Sequence, residues 1–170
     1  MNGPLQYAVG SIHVRGRADQ PSQVSSQPLQ YYDVRELWYD IQPCGWVSLA
    51  VVSPDRTGKT LQLARSLADM GTQALGRSVE LINATDLDLA FVGRITDRLA
   101  SNDSTRKAGA HQIILALDSP IVNPLAIGVI AACDSALLLL LRGQTTVPDA
   151  RRTAERIGRE RLLGAVIVSE

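Results

Sequence analysis

At 170 residues the chain is long enough for one domain with a real core, and 45% of it is hydrophobic. Its 17 basic and 17 acidic residues cancel, so no broad field exists to hold nucleic acid or an anionic membrane. Aromatic residues make up 4%, too few to favour recognition by stacked bases.

Residues 1–30 are rich in Gln, Ser, Pro and Gly and read as a flexible arm, in which Tyr7 to Val14 offers one short strand. The arm lacks the apolar core of a signal peptide, and His13 within it reads as solvated. Residues 31–170 read as a single domain. Tyr31 to Gln42 carries Val34, Leu37, Trp38 and Ile41 at helical spacing, closed by Pro43 and Gly45. Trp46 to Val52 is apolar at nearly every position, as expected of a parallel strand covered on both faces. Lys59 to Leu75 predicts a helix with Leu61, Ala64, Leu67, Ala68 and Leu75 on one face and Gly76 as its stop. Ser78 to Asn83 predicts a strand, Thr85-Asp86-Leu87 the cap of a helix reaching Ala100, and Ser101 to Gly109 a polar loop.

His111 to Asp118 predicts a buried strand ending in an acid. Pro124 to Leu141 is the longest apolar run, but it is marginal as a membrane span and carries Asp134 at depth. A helix to Cys133 and a strand over Ala136 to Leu141 explain it better. Val147 to Arg159 is an amphipathic helix, and Leu162 to Val168 is the last strand. The two cysteines, Cys44 in a turn and Cys133 in an apolar run, have no metal-ligand spacing and suit a reducing cytosol. The alternation of strand and helix predicts an α/β fold: a mostly parallel five-stranded sheet flanked by helices in three layers. Ligands on such sheets bind at the carboxyl ends of the strands, where Lys59, Asp118, Asn83 and Asp86 fall.

Between the first core strand and its helix runs Ser53-Pro54-Asp55-Arg56-Thr57-Gly58-Lys59-Thr60. Strand, tight loop ending in Gly-Lys-Thr and helix is the setting of a phosphate-binding loop, G-x-x-x-x-G-K-[ST], with Ser53 where the first Gly belongs. The candidate cradle is Arg56, Thr57, Gly58, Lys59, Thr60 and Leu61, whose backbone N–H groups and helix end would face phosphate oxygens. In such a loop Lys59 reaches the outer phosphates and the Thr60 hydroxyl ligates Mg²⁺, with Asp118 as the second metal ligand. The plainer reading of Asp118 is a strand-end residue capping the turn before Pro120. The loop is poor in Gly, which supplies close backbone approach, and Asp55 sets a negative charge near the phosphate position. Arg56 either pairs with Asp55 or contacts a phosphate in place of lost backbone donors; the sequence leaves both open.

The segments Val52-Ser53-Pro54-Asp55…Gly58-Lys59-Thr60, Asp118-Ser119-Pro120, Cys133-Asp134-Ser135-Ala136 continuing through Leu141-Arg142-Gly143-Gln144-Thr145-Thr146, and Leu163-Gly164-Ala165-Val166-Ile167-Val168 together resemble the cytoplasmic domain of bacterial tyrosine kinases. These proteins serve capsule and exopolysaccharide assembly and belong with the MinD/ParA-like ATPases; the resemblance covers residues 31–170. It implies a fold like that of the P-loop NTPases, ATP or ADP with Mg²⁺ as cofactor, and Lys59, Asp86 and Asp118 as catalytic groups. It further implies Arg142 near the purine with Ser169 at the place of a family Asn, and a membrane-embedded polysaccharide co-polymerase or adaptor as partner. A cytoplasmic location, peripheral to the inner membrane through that partner, and a homo-oligomer follow from the same resemblance.

The departures are equally specific. The family's Asp-x-Asp motif falls on Asn83-Ala84-Thr85-Asp86, where an amide replaces the first acid and cannot act as a base. Loop glycines are replaced by Asp55 and Arg56, and the MinD-type signature lysine would fall near Pro54. Of the spaced Glu and Arg residues used for ring assembly, Arg35 is clearly in place. The family's tyrosine-rich tail has no counterpart before Val168-Ser169-Glu170. These features favour a degenerate member acting as regulator or scaffold, with an active tyrosine kinase or ATPase and a MinD/ParA-like positioning ATPase as alternatives.

Overall fold

The computed structural model describes residues 7–10, 31–32, 34–104 and 111–168. His13, the arm apart from Tyr7–Gly10, residues 105–110 of the expected polar loop and Ser169 lie outside them. Five strands run parallel: β3 (Ser48–Val52), β4 (Glu80–Ala84), β5 (Ile113–Leu117), β6 (Ser135–Leu141) and β7 (Leu162–Val168). A short antiparallel pair, β1 (Tyr7–Gly10) and β2 (Tyr31–Tyr32), extends the sheet beyond β7, giving the order β2-β1-β7-β6-β3-β5-β4. The α/β class with five parallel strands is as expected.

The central strands are buried at every position, SLAVV in β3 and IILAL in β5, which is what a parallel sheet covered on both faces requires. Alternation splits each strand between two cores. On one face Leu49, Val51, Ile114 and Leu137 pack with α1 (Val34–Ile41) and α2 (Lys59–Leu75). On the other, Ala50, Val52, Leu115 and Leu138 pack with α3 (Leu89–Ser104), α4 (Leu125–Ala132) and α5 (Val147–Ile157). Three layers result. Trp38 of α1 meets Trp46 edge-on at 5.7 Å and lies against Gly71 of α2, where any Cβ would run into its ring.

The structure corrects several boundaries. Tyr31 and Tyr32 belong to a strand rather than to the following helix, which begins at Val34 and buries Leu37, Trp38 and Ile41. The cap of α3 is Asp88, whose Oδ1 accepts the Phe91 amide at 2.6 Å; Thr85 instead bonds Asn83. That helix runs on to Ser104, through the start of the expected loop. The long apolar run divides into α4 and β6, and among the described residues no helix is long and apolar enough to cross a membrane.

Chain order across the sheet positions the site. From β3 the chain passes to β4 and β5 on one side, then crosses to β6 and β7 on the other. This creates a switch point between β3 and β6 at the carboxyl ends, the place where open α/β sheets bind ligands.

Candidate functional site

The loop from Ser53 to Gly58 leaves the buried end of β3 at that switch point. Ser53 is fully buried, and its Oγ accepts the Asp55 amide at 3.2 Å. A serine in the place of the expected glycine thus makes a local turn bond of its own. Thr57 repeats the device one turn later, accepting the Lys59 amide on Oγ1 at 3.3 Å and the Thr60 hydroxyl on its carbonyl at 3.5 Å. Gly58 then caps the 17-residue helix α2 without a side-chain hydrogen bond.

Each charged side chain inside the loop reaches a different neighbouring strand. Asp55 turns towards β6, where Thr145 Oγ1 donates to its Oδ2 while accepting the Leu141 amide at 2.8 Å. This chain of amide, hydroxyl and carboxylate spans the crevice between β3 and β6. Arg56 turns towards β5, and its Nε lies 3.4 Å from Asp118 Oδ2. Arg56 is 64% exposed and the Asp118 side chain 11%, so a nearly buried carboxylate has a cation at its mouth. The sequence left Arg56 between pairing with Asp55 and facing a phosphate; its partner is Asp118.

Of the residues singled out in the sequence, the structure sets Arg56, Thr57, Gly58, Lys59, Thr60 and Leu61 after β3 beside Asp118 after the adjacent β5, with Val52 paired to Leu117. β4 pairs directly with β5, with Ala84 opposite Leu117, so Asp86, exposed on the loop after β4, stands one strand spacing from the strand that carries Asp118 and two, about 10 Å, from β3. Asn83, at the position of the missing acid, uses its Oδ1 to hold Thr85 at 2.9 Å. Arg142 is exposed on the turn after β6, with its amide on the Val168 carbonyl at 2.9 Å. Neighbouring loops are cross-tied: Asn123 Nδ2 donates to Leu87 O at 3.4 Å and Arg156 Nη1 to Pro120 O at 2.7 Å.

Sequence reasoning missed Thr145 as a partner of the loop, although the Arg-Gly-x-Thr run that contains it stood out. It also missed Asp134 at the opposite edge of the sheet. There Asp134 Oδ2 accepts the Val47 and Ser48 amides at 2.9 Å each and the Ser48 hydroxyl at 3.1 Å. A shallow depression lined by Ser48, Thr96, Leu99 and Asp134 lies beside this clasp.

A nucleotide with magnesium meets a divided site. The phosphate half keeps its setting, Gly58 ahead of α2 with Lys59 and Thr60 in the first turn, but the Lys59 amide is already taken by Thr57 Oγ1. The metal half is engaged within the chain itself: Asp118 carries Arg56, and the Thr60 hydroxyl turns to the Thr57 carbonyl. Comparison of the chain with protein-family models, with curated proteins and with solved structures finds no match.

Proposed function

We propose that this chain is a degenerate relative of the bacterial tyrosine kinase domain. It acts as a regulator or scaffold in exopolysaccharide or capsule assembly, binds ATP or ADP weakly, and phosphorylates little. In this reading it works in the cytoplasm, held at the inner membrane by a membrane-embedded polysaccharide co-polymerase or adaptor. The pathway and the partner rest on the sequence resemblance alone.

The observation that carries the loss of chemistry is the double tether of the loop, Asp55 to Thr145 and Arg56 to Asp118. Asp118, which would hold the metal, is engaged by Arg56, and the loop is fixed to Thr145 through Asp55. Gly58, Thr60, the Lys59 side chain and the α2 amides beyond that of Lys59, which Thr57 holds, would hold the phosphates, and a bound nucleotide would supply a charged ligand that couples this loop to a partner. An active kinase or ATPase would need an acid to activate the attacking oxygen. Asn83 holds Thr85, and Asp86 stands on the loop after the edge strand β4.

The test is a calorimetric titration with ADP and ATP, alongside Lys59→Ala and an assay for phosphotyrosine. Weak binding in the high micromolar to millimolar range, lost in Lys59→Ala, without phosphotyrosine, is the expected result. Efficient tyrosine phosphorylation overturns the reading. So does the lack of heat with either nucleotide, which reduces the loop to a structural element.

A further inference from the structure

We infer that Arg56 is a built-in cation standing in the place of the divalent metal at Asp118, so that the loop holds phosphate without magnesium. The inference rests on the reading of the loop as a weak nucleotide site and adds how that site balances its charge.

In a phosphate loop the strand-end acid exists to hold a metal, and the metal neutralises the phosphates. The Asp118 side chain keeps 11% of its surface exposed, so a cation can reach it from the solvent side. That cation comes from within the chain, Arg56 Nε at 3.4 Å from Asp118 Oδ2. The guanidinium makes this contact through one edge nitrogen and remains 64% exposed, which leaves its outer nitrogens open to an incoming anion. Arg56 is four residues from Thr60, the other metal ligand implied by the motif, and that hydroxyl is turned to the Thr57 carbonyl. The guanidinium beside Oδ2 puts a fixed positive charge where a divalent cation would have to approach Asp118.

The experiment uses the full chain. ADP binding is measured by calorimetry in excess EDTA and in excess Mg²⁺, for wild type, Arg56→Gln and Asp118→Asn. In parallel, Mn²⁺ uptake without nucleotide is followed by electron paramagnetic resonance, and circular dichroism confirms that each variant folds. Wild-type affinity is expected to agree within twofold between EDTA and Mg²⁺. In EDTA, Arg56→Gln is expected to weaken ADP binding at least tenfold, and Mg²⁺ to restore most of it. Mn²⁺ is expected to bind Arg56→Gln and neither wild type nor Asp118→Asn. Wild-type binding that requires Mg²⁺ overturns the inference and leaves the nucleotide reading standing. If no ADP binds under any condition, the nucleotide reading fails, and the Mn²⁺ signal alone decides. Uptake by Arg56→Gln but not wild type upholds Arg56 as the cation in the metal's place, and equal signals in the two overturn it.

Discussion

The two ends of strand β3 are each secured by an aspartate from a neighbouring strand's connection, and the two aspartates do opposite things. At the start of β3, Asp134 gathers two backbone amides and a hydroxyl on one oxygen, and its own amide donates back to Ser48 Oγ at 2.9 Å. At the far end, Asp118 is approached by one nitrogen of an exposed arginine at 3.4 Å. The first is a clasp that fixes strand register. The second is a charge pair whose partner can swing away. A sheet that keeps its amino edge rigid can leave its carboxyl edge adaptable, which is where α/β folds carry function.

The largest difference should appear in cysteine chemistry beside the clasp. Burial, with help from the Asp134 charge and against Arg161, pushes the Cys133 thiol up to about 12. In the native protein its alkylation should run at least about a thousandfold slower than in the unfolded chain, because it must await global opening. Cys44, half-buried and raised by burial alone, should react first. The raised thiol adds stability that is complete below its ordinary value of 9.0 and is lost as pH climbs towards about 12. Urea unfolding on the alkaline side should therefore steepen its pH dependence through Cys133, and Cys133→Ala should flatten it. Fast native labelling of Cys133 would show that the amino edge opens as readily as the other.

Breaking the clasp itself comes next. Asp134→Ala leaves the Val47 and Ser48 amides without their acceptor and should destabilise the fold by about 3 kcal/mol in urea denaturation. A loss under about 1 kcal/mol would mean that water replaces the carboxylate and the two ends are alike. Thr145→Val removes the hydroxyl that links Leu141 to Asp55 and should cost about 1 kcal/mol, while leaving cysteine protection intact.

The fold was legible in the sequence because its signals are local. Uninterrupted apolar strands such as Ile113–Leu117 and a helix opening directly after Gly58 follow from neighbours within a few residues. Candidate site residues were legible for the same reason, since Gly58-Lys59-Thr60 and the strand-end Asp118 announce themselves by position. What the loop does with its charges was not legible. Asp55 meets a residue 90 positions away and Arg56 one 62 positions away, and both partners are fixed only by the order of strands in the sheet. Nor was the pairing of Tyr7 with Tyr32, where a two-residue strand carries no periodicity to read.

The smallest stability effect should come from the pair that the functional proposal depends on most. Arg56 is 64% exposed and touches Asp118 through a single long contact, so water and salt screen most of the attraction. Arg56→Gln should change unfolding free energy by less than about 0.5 kcal/mol, and raising salt should shrink even that. If Arg56 contributes little to stability and also, as proposed, decides whether a cation is needed at Asp118, it is a residue held for its charge. If Arg56→Gln instead destabilises as much as Asp134→Ala, the carboxyl end of β3 is a second clasp, and the loop is built to stay shut rather than to receive a phosphate.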